Sequence, residues 1–140
     1  MFGFLSFKYS FYPQAIIELS GSDPAARELD WYLRDHLFRQ SNTGKTAFRV
    51  EALPSDMVTL YLRYRGFDPG QLAEAMVPVI TSLVSKKVLQ QNGNELNLEG
   101  KLTRLQCAKC FYINYLADAE VRVCMRCQAA DLHDFPKRKA

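Results

Sequence analysis

A chain of 140 residues that is 48% hydrophobic has room for one ordinary domain, or for a domain with a small appended module. Its formal net charge of +3 is uneven: residues 1–100 hold ten Lys/Arg against eleven Asp/Glu, and residues 101–140 hold eight against four. A core of this size does not depend on cross-links, and all four cysteines fall within one 21-residue window, which excludes a disulfide framework spread over the fold.

The N-terminal stretch MFGFLSFKYSFYPQ is aromatic, but Lys8 and the serines interrupt its apolar run. With no basic leader and no long aliphatic stretch, it is expected to be neither a signal peptide nor a membrane span. A reducing cytoplasmic compartment is the resulting expectation, and there paired CxxC motifs point to metal rather than disulfide. Leu5, Phe7, Tyr9 and Phe11 alternate with Ser6, Lys8 and Ser10, which predicts a half-buried strand. Its aromatic row suits either a core face or a base-stacking platform, and the core face is preferred because aromatics dominate cores. Ala15 to Leu19 reads equally as strand or helix.

A helix follows, with Asp23 as N-cap and Pro24 at the first helical position, where a missing N–H does no harm. Leu29, Leu33, His36 and Leu37 form one apolar stripe, running to about Gln40. Trp31 and Phe38 lie on nearly the opposite face, so the helix is expected to be sandwiched within the fold; a docking surface is the alternative. His36 reads as a core histidine. Gly44 to Thr46 spell GKT, but a phosphate loop needs a glycine where Arg39 stands and a strand before the loop. Here a helix runs into a probable strand, Thr46 to Glu51, and nucleotide binding by this loop is rejected.

Pro54–Ser55 opens a second helix with Met57, Leu60, Tyr61 and Tyr64 on one face and Gly66 at its stop. Asp68–Pro69 opens a third, in which Leu72, Met76, Val79, Ile80 and Leu83 keep a helical period to about Lys87. Pro78 predicts a kink or a split after Val77. Val88–Gln91 and Glu95–Leu98, around Asn92–Gly93, predict a β-hairpin. Across residues 55–100 this order resembles a winged helix-turn-helix, with ITSLVSKKVLQQNGNELNLEG similar to its recognition helix and wing. The span from Leu72 to Val88 is short for two helices and a turn. The resemblance implies that Thr81, Ser82, Ser85, Lys86 and Lys87 face DNA; the residues alone read as a solvated polar face.

The cysteines carry the most specific chemistry: Cys107-x2-Cys110, thirteen residues, then Cys124-x2-Cys127. Two such turns present four sulfurs to one tetrahedral ion when the intervening chain brings them together. Phe111, Ile113 and Tyr115 alternate with Tyr112 and Asn114 as a strand, Leu116 to Glu120 can turn, and Val121 to Val123 can pair back. Residues 105–130 thus resemble a zinc ribbon, and Zn²⁺ is preferred to an iron–sulfur cluster or a redox dithiol. Four thiolates leave no open position for a water, so the site is expected to be structural. His133 is weighed as a substitute ligand and set aside. Four thiolates around Zn²⁺ contribute −2, which lowers the whole chain from +3 to about +1.

The predicted fold is α+β: a domain over residues 1–100 with an N-terminal strand and a winged-helix-like second half, a zinc ribbon over 101–132, and a basic polar tail over 133–140. The two histidines are far apart, and neither G-x-S-x-G nor HExxH occurs, so no motif indicates an enzyme; one assembled from distant residues stays open. Two readings compete. In the first, Lys86, Lys87, Lys101, Arg104, Lys109, Arg122 and Arg126, with Tyr112 and Tyr115 as stacking surfaces, contact DNA or RNA. In the second, the near-neutral corrected charge and Trp31 with Phe38 mark an adaptor or assembly subunit whose ribbon docks a protein. Neither a membrane nor a small-molecule substrate is expected.

Overall fold

The computed structural model describes residues 24–135. The strand predicted at Leu5–Phe11, the segment Ala15–Leu19, the Asp23 cap and the basic residues 137–139 lie outside that range.

The chain runs through α1 (Pro24–Ser41), β1 (Ala47–Arg49), a 3-10 turn (Val50–Ala52), α2 (Leu53–Leu60), a second 3-10 turn (Leu62–Tyr64) and α3 (Pro69–Ser85). The hairpin strands β2 (Leu89–Asn92) and β3 (Glu95–Leu98) follow, then β4 (Leu102–Cys107), β5 (Ile113–Ala117) and β6 (Leu132–Asp134). Among the described residues two antiparallel three-stranded sheets form, one ordered β1-β3-β2 and the other β5-β4-β6. The fold is α+β, as the alternation of periods predicts.

α1 is sandwiched because it is apolar on two sides. Leu29, Leu33 and Leu37 are fully buried in a core shared with α2, α3 and the first sheet, while Trp31 and Phe38 pack on Tyr115 of β5. α3 begins at Asp68, whose carboxylate accepts from the Gln71 N–H at 3.2 Å. Its predicted stripe of Leu72, Met76, Val79, Ile80 and Leu83 is buried throughout. The split expected at Pro78 does not occur: α3 is continuous from Pro69 to Ser85. The partner for the missing N–H would be the carbonyl of Glu74, an exposed residue, and the stripe on either side of Pro78 stays anchored. Lys87, at φ 64, ends the helix in the left-handed region, and the Val88 N–H closes back onto the Leu83 carbonyl at 2.9 Å.

α2 is shorter than its periodicity predicts. Tyr61 is extended (φ −117, ψ 124), so Leu60 turns outward while the Tyr61 hydroxyl donates to Asp35 at 2.6 Å. That tertiary bond, with burial of Tyr64 on the following turn, outweighs one more helical residue. The two helices ahead of the hairpin are therefore α2 and α3, and no second helix has to fit between Leu72 and Val88. The hairpin turns at Gly93–Asn94, with Gly93 at φ 61 and Asn92 paired to Glu95.

In the second sheet the strand order departs from expectation. β5 pairs with β4, which precedes the first CxxC, and Val121–Val123 forms no strand. The Glu120 N–H bonds the Ala117 carbonyl at 3.0 Å and the Glu120 carboxylate accepts from the Ala117 N–H at 2.9 Å, a tight turn that turns Val121 out to 75% exposure. β6 instead takes the other edge of β4, so His133 and Asp134, expected at the start of the polar tail, continue a strand that begins at Leu132. Leu102 and Ala117 of this sheet belong to the same hydrophobic cluster as Leu29 and Leu83.

Candidate metal centre and adjoining groove

The two CxxC turns are near copies of each other in backbone geometry. In the first, the Cys107 N–H donates to the Tyr112 carbonyl at 3.0 Å and the Phe111 N–H to the Cys107 carbonyl at 3.0 Å. In the second, Cys124 donates to Ala129 at 2.8 Å and Gln128 to Cys124 at 2.8 Å. The residue after each second cysteine is left-handed, Phe111 at φ 65 and Gln128 at φ 66. The N–H two residues after each first cysteine meets its sulfur, Lys109 to Cys107 and Arg126 to Cys124, both at 3.4 Å.

This repetition brings the four sulfurs within 4.8 Å of one another, with Cys107–Cys127 at 3.6 Å and Cys110–Cys124 at 3.5 Å. A disulfide would need about 2.05 Å, whereas four sulfurs about 2.3 Å from one tetrahedral ion stand roughly 3.8 Å apart. The cluster could therefore hold a metal ion, and an all-sulfur set suits zinc. Burial raises the Cys124 thiol, but hydrogen bonds from the Cys127 and Arg126 N–H groups and from Asn114 outweigh it and bring the thiol down to about 6. Cys107 is likewise lowered, by N–H groups of Cys110 and Lys109 against the effect of burial. The Tyr112 N–H lowers Cys110, yet burial and the neighbouring sulfurs prevail and push it up to about 12. An ion bound by all four sulfurs must displace the protons that remain on them.

Asn114 is the positioning residue that the alternation of β5 concealed. Fully buried, it donates from Nδ2 to the Tyr112 carbonyl at 3.2 Å and to the Cys124 sulfur at 3.6 Å, and accepts the Met125 N–H on Oδ1 at 2.8 Å. A lone amide among the apolar residues between the turns was the available signal. Arg34, Asp35 and Glu120 were also missed. Arg34, 1% exposed, donates to both Glu120 oxygens at 2.6 and 2.8 Å, to the Tyr115 carbonyl at 2.6 Å and to Asp30 at 3.1 Å. Asp35 accepts from the hydroxyls of Tyr115 and Tyr61 and from Arg39. Trp31 Nε1 donates to the Ile113 carbonyl at 2.6 Å. The cysteine-bearing sheet is thus bonded to α1 along its length.

The candidate contact residues separate into groups. Tyr115 offers no stacking face: it is 2% exposed, and burial with the Asp35 bond pushes its phenol up to about 12. Arg104 is engaged between the rings of Phe38 and Phe135, its Nε donating to the Phe135 carbonyl at 3.0 Å. Lys87, Lys101, Lys109 and Arg122 are exposed. Lys86 and Arg126 come together in one open groove of about 950 Å³ between α1, the end of α3 and the second knuckle. Arg27 joins them there, a cation that sequence reasoning passed over because it lay on the helix start with no motif around it. Trp31, Tyr32 and Tyr112 line the same groove, and Arg126 lies over the Tyr112 ring at 6.0 Å. A smaller hollow of about 580 Å³ adjoins it, lined by Lys86 again and by Val121 and Val123, the neighbours of Arg122. α3 itself contains no Lys or Arg. His36 is a buried core histidine as expected, 3.6 Å from Asp56, and no described helix is long and apolar enough to cross a membrane.

No protein-family model matches the chain, and no curated protein or solved structure matches it. Its function has to be argued from the site.

Proposed function

We propose that this protein is a cytoplasmic, zinc-stabilised nucleic-acid-binding factor, in which Cys107, Cys110, Cys124 and Cys127 hold a structural Zn²⁺. The observation that carries the reading is the groove in which Arg27, Lys86 and Arg126 stand among aromatic rings. Zinc with four thiolates has no free position, so its part is to fix the knuckle that carries Arg126 and Met125. The strand order β1-β3-β2 behind α2 and α3 supports a winged-helix assignment for residues 24–98. Its usual reading face is poor in charge here, since α3 has no basic residue, and the ribbon side takes that role.

Full-length, zinc-loaded protein is expected to bind labelled DNA or RNA at low salt by fluorescence anisotropy, with affinity falling as salt rises. Absence of binding to either overturns the reading. Zinc content is checked separately, one ion per chain being expected.

The adaptor reading is favoured by a different observation. Residues 24–135 hold fourteen Lys/Arg against thirteen Asp/Glu before the −2 of the zinc centre, and Phe111 is 69% and Val121 75% exposed on the ribbon. A stoichiometric protein partner retained after nuclease treatment would favour it.

A further inference from the structure

We infer that the groove between α1, α3 and the second knuckle is a single-stranded RNA site, in which an unpaired base lies against Tyr112 and its phosphates meet Arg27, Lys86 and Arg126. This inference rests on the nucleic-acid reading above and deepens it.

Four features of the groove select this ligand. First, the three cations come from three separate elements and all are exposed, so they flank a path rather than form a patch on one helix. Among the described residues none of them takes part in an ion pair; those pairs use Arg34, His36, Arg39, Arg49 and Arg63. Second, the aromatic residues between them are half-buried, and a ring held on one side can still offer its other face to a base. Tyr112 carries Arg126 at 6.0 Å, a cation and a π-face presented together. A duplex keeps its bases stacked inside and cannot use such a surface; an unpaired strand can.

Third, the groove contains carboxylates, which repel phosphate and accept hydrogen bonds from hydroxyls. Glu28 is bound to Arg63 through Oε1 at 2.7 Å, and Ser82 of α3 also lines the groove. A ribose 2′-hydroxyl has partners here that a deoxyribose lacks. Fourth, α3 and the wing lack the basic residues that duplex binding would need, whereas this groove gathers three exposed cations. The zinc centre's own −2 lies beside Arg126, so binding is expected to be moderate and to depend on all three cations.

The test uses full-length, zinc-loaded protein and fluorescence anisotropy with a short oligouridine, the matching oligodeoxyuridine and an RNA duplex. Single-stranded RNA is expected to bind at least about tenfold tighter than the duplex and several-fold tighter than the deoxy strand. The log–log salt slope is expected near −2, three phosphates at about −0.7 each. Tyr112→Ala should weaken binding by about tenfold while Tyr112→Phe keeps it, because the ring supplies the stacking. Lys86→Gln, at an exposed position, should weaken binding and flatten the slope without placing a negative charge near Glu120; it keeps the test decisive where Tyr112→Ala loses zinc. Arg65→Ala, on an exposed cation outside the groove, should change nothing. Equal binding of RNA duplex and single strand, indifferent to Tyr112 and Lys86, overturns the groove inference and leaves the nucleic-acid reading standing. Equal binding of the deoxy strand overturns its RNA assignment. No binding of any of the three at low salt overturns the inference, and the reading above with it if DNA duplex also fails.

Discussion

Among the described residues the two sheets have three strands each, and they are held by different forces. The β1-β3-β2 sheet turns Phe48, Leu89 and Leu96 onto the helices, all at 2% exposure or less, and belongs to one apolar core. The β5-β4-β6 sheet shares part of that core through Leu102 and Ala117, but it is closed by four sulfurs and tied to α1 by Arg34, Asp35 and Trp31. Apolar burial is non-directional and roughly additive in area, so the first sheet should lose stability in proportion to what is removed. Ligands and buried hydrogen bonds are directional and mutually dependent, so the second should fail as a unit.

The largest expected effect is metal removal. Trp31 is the only tryptophan in the chain, and its indole N–H is bonded to Ile113 of β5, so its emission reports docking of the cysteine sheet on α1. A strong chelator should shift that emission to the red and expose the sheet to proteolysis, while most helical ellipticity of α1 to α3 persists. Emission unchanged by loss of the metal would show that docking of this sheet on α1 does not depend on the cysteine cluster.

Next come paired substitutions. Arg34→Met leaves the partly buried carboxylates of Asp30 and Glu120 without their cation and should cost up to about 3–5 kcal/mol in denaturant titration, with weakened metal retention. Leu96→Ala should cost about 2–5 kcal/mol and leave metal stoichiometry intact. If Leu96→Ala released the metal as readily as Arg34→Met, the two sheets would not be separately held.

A pH effect of smaller size sharpens the first region. Burial holds the His36 imidazole below its usual range, more than Asp56 and Asp35 raise it, while Lys45 lowers it further. The folded state therefore binds fewer protons than the unfolded state, and stability should fall as pH drops below about 6.5. His36→Gln should remove that part of the pH dependence in urea midpoints measured between neutral pH and pH values below it. Asp35, held below its usual range by Tyr115, Tyr61 and Arg39 against the opposing effect of burial, contributes stability that is lost only at more acidic pH.

The smallest effect tests the knuckles. Gln128 is an ordinary residue at φ 66, where a glycine would be relaxed, and Gln128→Gly should stabilise the metal-loaded protein by up to about 1 kcal/mol. A loss of stability would mean that its side chain holds the knuckle in a way the backbone does not reveal.

Features whose physics is local can be read from the order of residues alone. The four cysteines are legible because each pair lies within one turn, and the knuckle closes through bonds between residues four or five apart. The hairpin at Gly93 and the buried stripe of α3 are legible for the same reason. Periodicity says which face of an element is apolar and not what will cover it. Tyr115 read as an exposed stacker because nothing near it in sequence announces Asp35, which meets it across eighty residues. Val121–Val123 read as a strand because the partner that β5 takes, β4, lies before the first knuckle rather than after it. The groove formed by Arg27, Lys86, Tyr112 and Arg126 exists only once α1, α3 and the knuckle are brought together, and that placement was decided by tertiary packing alone.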